Sequence, residues 1–345
     1  MSTIDALKWV KAKKLMLYTS IGLQTWEIQV YLAKTMKIFQ TIVVPARKES
    51  EYIQIKQSAI TQFELNEEIV SFLPSISSKN QRSKKAHLNL RDKTVINASD
   101  MLLPVSIRKG GNLEKIIEQR ATLLDAANIN REFQIPYDPH HKSFAYNLSN
   151  KKAVPAVSSI RNHFLIHWTR AANGPWPTET CGDYYRAVIE SDRYPRLAFD
   201  TLKNILVLKQ IKASSRHMPQ NVSAVSFSAV SPSEMLPLFK WRSRYVQMAF
   251  EPYGIGIEKK YAIEHGIRPV HYYKGKQPRS DVESWLTQSE GVKGDWRLER
   301  EYRFFGDLDL STIPLDKMVC FCFRPEEADE ITDRFGIKTF FMQEP

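Results

Sequence analysis

The chain has 345 residues, of which 43% are hydrophobic and 25% charged, with a formal net charge of +11. Such a length suits two domains better than one core, and the composition is that of a globular protein rather than a disordered or fibrous one. No apolar run approaches the ~20 residues of a bilayer-spanning helix, so no membrane association is expected.

The N-terminal stretch MSTIDALKWVKAKKLMLYTS lacks the apolar core and small-residue site of an export signal. Only three cysteines are present, too few for a disulfide framework, which suits a cytoplasmic location. The basic excess is spread over both halves of the chain and favours a polyanionic partner, nucleic acid above all.

In chain order, KLMLYTSIG reads as a strand turning at Gly22, TWEIQVYLAKTMKI as a helix, and FQTIVVPA as a strand buried in a parallel sheet. NEEIVSFLP is a further short element. KTVINASDMLLPVSIRKGG carries two apolar runs and a strand end, followed by the helix NLEKIIEQRATLLDAA with Asn112 as N-cap. This alternation predicts an open, Rossmann-like α/β domain over residues 1–138. Residues 139–159, rich in Pro, Asn, Ser and Lys, read as a linker that contains His140 and His141.

From residue 160 the texture becomes α+β. HFLIHWTR, VSAVSFSAV, YGIGIEK, RPVHYY, WRLEREYRFFG, KMVCFCF and KTFFM read as strands. RLAFDTLKNILVLKQI, SEMLPLFKWRSRYVQMAF, KYAIEHG, VESWLTQSE and PEEADEITDRFG read as helical. Cys320 and Cys322 in MVCFCF are expected to share one core face. His163 and His167 have the i, i+4 spacing of a metal pair only if their segment is helical, and a strand suits it better, so no metal is expected.

Two turns in the first domain are candidate anion sites. Glycines between a strand and a helix let backbone amides approach a ligand, and a helix N-terminus favours negative charge. One is Arg108-Lys109-Gly110-Gly111-Asn112, the other Thr19-Ser20 with Gly22. The order of parts, with SIRKGGN preceded by NASDMLLPV, resembles the DprA/LOG (SLOG) superfamily over roughly residues 10–135. Asn112, Leu113 and Glu114 stand where that family has a small residue, Gly and Thr. The resemblance implies a nucleotide or nucleic-acid ligand at this loop.

In the second domain Ser226 and Ser228 share a strand face, and Glu299 and Glu301 are expected to share another, with neither Arg300 nor Arg303 on that face. Arg242 beside Trp241, Arg244 beside Tyr245, and the KGKQPRS loop are candidate contacts to bases and phosphates. A strand His, a Ser-x-Ser strand and then Glu-x-Glu resembles the order of parts in ADP-ribosyltransferases. Residues 160–345 resemble AbiGi-type abortive-infection proteins through HWTR, GPWP, TLKNIL, VSFS, YGIGIEK, RPVHYY and EREYR. They also resemble DarT-type DNA-modifying transferases.

The resemblance implies an ADP-ribosyltransferase-like domain with NAD as cosubstrate. His167 and Thr169 would hold NAD, Arg170 would contact a phosphate, and Ser226 and Ser228 would line the pocket. An intervening aromatic suits stacking on nicotinamide, and Trp168, Phe227 and Tyr302 are each adjacent in sequence to these positions. Glu301 would be the catalytic acid, with Glu299 facing the acceptor.

The expectation is an antiphage-defence or toxin-like transferase with a nucleic-acid acceptor, a nucleotide ligand at the first domain and a protein partner from the same defence system. The alternative is a non-catalytic nucleotide- or nucleic-acid-binding sensor with a degenerate transferase fold. A third, lower-ranked reading is NAD hydrolysis with no acceptor.

Overall fold

The structure, a computed structural model, describes residues 2–76, 84–122, 128–137, 146, 148, 155–215, 218, 222–242, 247–274, 282–290 and 296–342. His140, His141, Arg244, Tyr245 and residues 275–280 of the basic loop lie outside them. Contacts divide the chain into two units, Met1–His141 with Gly174–Arg193, and Lys142–Asn173 with Tyr194–Pro345. The segment Gly174–Arg193 therefore belongs with the first unit, where the sequence reading had put it in the second domain. Among the described residues no helix is long and apolar enough to cross a membrane.

Unit 1 is built on three parallel strands, β1 (Leu17–Ser20), β2 (Gln40–Ala46) and β3 (Val70–Ile76), in the order β1-β2-β3. The apolar run of β2 explains its central place, since Ile42, Val43 and Val44 are fully buried there. The helix Gln24–Met36 joins β1 to β2, and Glu49–Phe63 joins β2 to β3. The helix Cys181–Glu190 packs on these two: Tyr185 Oη donates to Glu27 Oε2 at 2.9 Å, and the Tyr185 ring stacks 6.1 Å from Phe63.

The expected strand before the glycine turn is absent from this sheet. KTVINA continues the helix Lys84–Ala98, and Leu102 forms only an isolated bridge with Ile129. Arg91 and Val95, one turn apart, are both buried, so the apolar run serves a helix face. Pro104 supplies no N–H for a ladder beyond Leu102.

Unit 2 is a seven-stranded mixed sheet. Its members are β4 (Phe164–Trp168), β6 (Ala224–Ser228), β9 (Gly254–Glu258), β10 (Arg268–Pro269), β13 (Glu301–Phe305), β15 (Met318–Cys322) and β16 (Thr339–Phe341). They lie in the order β10-β13-β6-β4-β9-β15-β16, antiparallel except for the last pair. Three two-stranded ladders accompany it: β5 (Gln210–Ile211) with β14 (Leu308–Asp309), β7 (Trp241–Arg242) with β8 (Gln247–Met248), and β11 (His271–Tyr273) with β12 (Thr287–Ser289).

One face of the large sheet carries Leu165, Ile255, Ile257, Cys320 and Cys322, in one core cluster with Leu202, Leu206 and Ile331 of the helices Ala198–Leu208 and Pro325–Phe335. The two cysteines do share a core face. The other face carries Ile166, Trp168, Val319 and Phe321.

The stretch SEMLPLFKWRSRYVQMAF is not one helix. Ser231 and Glu234 cap the single turn Pro232–Met235, a 3-10 turn follows through Pro237, and Trp241 then pairs with Met248 in the β7/β8 ladder. Pro237 cannot sit inside a continuing helix, because it lacks the N–H and clashes with the preceding turn. RPVHYY is likewise divided, Arg268–Pro269 joining the large sheet and His271–Tyr273 pairing with β12. In VESWLTQSE a 3-10 turn over Ser284–Leu286 runs into the strand Thr287–Ser289.

Gly254 shows how tightly β4 and β9 approach. A Cβ there would lie 2.7 Å from the His167 carbonyl oxygen and 3.1 Å from Trp168 Cε3. Gly254→Ala is expected to destabilise the protein by about 2–3 kcal/mol, as overpacking does, measured by urea unfolding. A change below about 0.5 kcal/mol, the usual range for an unconstrained surface site, would show that this contact does not hold the two strands.

Candidate active site in unit 2

The sheet order brings the histidine, serine and glutamate strands side by side as β4, β6 and β13. Register decides what shares a face. Ser228 is opposite Glu301 and Ser226 opposite Arg303, so these four residues point to one side. Phe227 is opposite Tyr302 on the other side. Ile166 pairs with Ser228, which turns its neighbour His167 to the Phe227 side, with the two rings 5.9 Å apart. The expected pocket is therefore split. Ser226, Ser228 and Glu301 lie on one face, and His167, Thr169 and Tyr302 on the other.

His167 nevertheless reaches toward the serine strand. Ile166 and Ser228 make the single ladder pair of β4 with β6, and beyond it His167 Nδ1 donates to the Ser226 carbonyl at 2.9 Å. That acceptor requires the Nδ1–H tautomer and leaves Nε2 as a lone-pair acceptor. Burial first, and the Arg170 charge to a lesser degree, push the imidazole pKa below its ordinary value. The Ser226 carbonyl bond opposes them. A histidine of this kind is neutral at pH 7, so it can accept from a hydroxyl but cannot neutralise a phosphate.

Thr169 is committed elsewhere, its hydroxyl donating to the Tyr253 and Ala198 carbonyls at 3.2 and 3.4 Å. Arg170 is half-buried. Trp168 and Phe227 are core residues. Tyr302 is half-buried, with Lys259 Nζ 5.6 Å from its ring centre.

Glu299 and Glu301 do not lie on one strand. Residues Trp296–Glu299 form a 3-10 turn, Arg300 adopts a left-handed φ of 42°, and the strand begins at Glu301. Two bonds hold this kink: Ser228 Oγ donates to the Glu299 carbonyl at 2.7 Å, and Ala229 N–H to the Arg300 carbonyl at 3.1 Å. A left-handed arginine is a strained conformation, which the surroundings must over-determine.

Arg303, two residues beyond Glu301 and on its face, is the arginine that the sequence reading placed outside the acid pair. Its Nε donates to Glu301 Oε1 at 2.8 Å and its Nη2 to Oε2 at 3.0 Å. The remaining guanidinium protons go to the Trp285 and Thr287 carbonyls and to Gln288 Oε1. Ser226 Oγ adds a 2.7 Å bond to Glu301 Oε1. The Glu301 amide donates to Tyr272 Oη at 3.2 Å, and burial pushes that phenol up to about 12.

Glu299 is the contrasting member. Burial, and then the charge of Glu301, push its pKa up to about 7. Arg242, Lys240 and Arg303 pull the other way, with Arg242 Nη2 3.9 Å from Oε1. Two carboxyl groups thus sit together, one fixed by a guanidinium and a serine, the other poised to exchange a proton near neutrality. Arg303 was findable by strand parity. Tyr272 and Gln288 arrive from distant segments and carried no sequence signal, and Arg242, expected as a contact to bases and phosphates, lies beside Glu299.

In unit 1 both candidate anion turns close on the chain's own carboxylates. Gly22 N–H donates to Glu27 Oε1 at 3.0 Å, and Gly110 N–H to Glu114 Oε2 at 2.6 Å. The Ser20 hydroxyl donates to the Val43 carbonyl at 2.6 Å, and that of Thr19 to Gln29 Oε1 at 3.3 Å. Gly111, not Asn112, is the N-cap, and a Cβ on it would lie 2.7 Å from the Arg108 carbonyl oxygen. Arg108 and Lys109 flank this turn, at the rim of a surface hollow shared with Tyr137.

No group of three or more His, Cys, Asp or Glu side chains is arranged to hold a metal ion among the described residues. Compared with known proteins, the chain matches no family model, no curated protein and no solved structure.

Proposed function

We propose that unit 2 is an NAD-dependent ADP-ribosyltransferase whose acceptor is a nucleic acid, in a protein of antiviral-defence or toxin type. The observation that carries this reading is the pair of contrasting carboxyl groups: Glu301 anchored by Arg303 and Ser226, and Glu299 raised to about 7 beside it.

In the proposed reaction an acceptor nucleophile forms a bond to the ribose C1′ of NAD. The bond from C1′ to the pyridinium nitrogen breaks, and neutral nicotinamide leaves with the electron pair. Positive charge develops on the ribose, which the Glu301 carboxylate stabilises. Glu299 in its ionised form takes the acceptor's proton. Arg170 would meet the diphosphate of NAD, while His167, on the opposite face of the sheet from Glu301, takes no part in holding it. The net charge of +11 favours a nucleic-acid acceptor over a protein one.

The test incubates the protein with labelled NAD and separate pools of DNA, RNA and lysate protein. Label transferred to the DNA or RNA pool is the expected result, and transfer to protein alone would refute the nucleic-acid acceptor. Absence of both transfer and nicotinamide release would refute the transferase.

One observation favours a second reading. Both Glu301 oxygens are already engaged by Arg303 and Ser226, as a purely structural buried pair would be. In that case unit 2 is a non-catalytic binding domain of a sensor, which binds NAD or a nucleotide and returns it unchanged.

A further inference from the structure

Unit 1 contains a cavity of about 590 Å3, bordered by the half-buried rings of Trp9 and Trp26 and by apolar side chains such as Val95, Leu103 and Ile117. Its size falls in the range of small-molecule sites, ~300–1,000 Å3. Polar side chains also line it, among them Tyr18, Gln29, Arg91, Asp92, Ser99 and Asp100. Arg91 is 1% exposed, and its guanidinium lies 5.7 Å from the Trp26 ring centre. Arg91 Nε and Nη2 both donate to one oxygen of Asp92, Oδ1, at 2.9 and 2.7 Å, and Nη1 donates to the Ile21 carbonyl at 3.4 Å. The second carboxylate oxygen, Asp92 Oδ2, makes no hydrogen bond to the described residues.

These features select a ligand chemistry. Two indole rings in a largely apolar surround favour a planar aromatic ring. Asp92 Oδ2 and the Asp100 carboxylate, both lining the cavity, offer acceptors for N–H groups of a ligand. Among the described residues Arg91 is the only cation lining the cavity, and it is already held by Asp92, so a phosphate would meet carboxylate charge and no unengaged cation.

We infer that this cavity is a binding site for a small, uncharged, planar heteroaromatic molecule with N–H donors, of the nucleobase type. The site is separate from both glycine turns, which close on Glu27 and Glu114, and its occupancy does not depend on transfer chemistry in unit 2.

The experiment is calorimetric titration of the full-length chain with adenine, guanine, adenosine and adenosine monophosphate, at low and high salt. Saturable binding of at least one base and its nucleoside is expected, insensitive to salt, with no gain from the 5′-phosphate. Ser99→Phe, which places a ring in the cavity, should abolish binding. Asp92→Asn should weaken it about tenfold or more, the worth of one hydrogen bond to a charged acceptor. Glu301→Gln should leave it unchanged, which separates this site from the transferase reading. Three results would overturn the inference: no heat with either base up to millimolar concentration, Ser99→Phe binding as tightly as wild type, or the monophosphate binding more tightly than adenosine with a steep salt dependence.

Discussion

Glu301→Gln is expected to reduce ADP-ribose transfer by roughly 10^2- to 10^3-fold, the usual cost of removing one preorganised electrostatic group from a reacting centre. The substitution has a structural cost as well. Arg303 is 2% exposed, and it would lose the carboxylate that takes two of its bonds, facing amide protons instead. Breaking a buried ion pair from one side costs about 3–5 kcal/mol, so unfolding has to be followed beside activity. A second variant, Glu301→Gln with Arg303→Met, removes the stranded charge. It leaves the Trp285 and Thr287 carbonyls without a donor, a cost of about 1–3 kcal/mol each. Assays at a temperature where both variants remain folded separate the roles. Inactivity of both is the expected outcome; full activity of the double variant would show that Glu301 is only the partner of a structural arginine.

That ambiguity was built into the way the site could be read. Glu-x-Glu on a continuous strand gives two acids on one face with nothing between them. The strand in fact starts at Glu301, because Arg300 is left-handed and Ser228 holds the Glu299 carbonyl. No local property of WRLERE announces that turn; it is imposed by bonds from residues some seventy positions away. Arg303 is different, since strand parity alone places it beside Glu301. The division of His167 and Thr169 from Ser226 and Glu301 follows from pairing register, which is a tertiary property.

The legible parts of the fold are those whose burial is periodic or complete. Met318–Cys322 is buried at every position, Phe164–Trp168 and Ala224–Ser228 nearly so, and the helix Pro325–Phe335 carries Ala328 and Ile331 inward from a charged face. The helix Glu49–Phe63 left little trace, because only Ala59 and Phe63 of its fifteen residues are buried. The segment after Lys240 misled by its Trp, Arg and Met spacing, which suits a helix, whereas pairing of Trp241 with Met248 makes it a ladder. The cavity beside Trp26 had no signature at all, being assembled from helices and a loop far apart in sequence.

Glu299→Gln is expected to make the protein more stable at pH 8 and to change its stability little at pH 4.5. Glutamate ordinarily titrates at 4.5, and in the folded chain Glu299 is raised to about 7 by burial and by Glu301. The folded state therefore holds this proton more tightly than the unfolded state. Its contribution to stability is fully present below pH 4.5 and is lost as pH rises through about 7. Above that point the wild type carries an ionised acid in a mostly buried site. For a side chain 20% exposed, the shift corresponds to at most about 3 kcal/mol. Glutamine cannot ionise, so the variant escapes that cost. Urea unfolding of both proteins at pH 4.5, 6 and 8 checks it: the stability difference should grow with pH across this window, and a constant difference would mean that Glu299 titrates normally. The same proton governs catalysis in the opposite direction. Transfer by the wild type should rise with pH around a midpoint of about 7 as the base form appears, while Glu299→Gln should be slow and flat. A stability gain without the matching change in the rate profile would leave Glu299 a buried acid with no part in proton transfer, and would favour the sensor over the transferase.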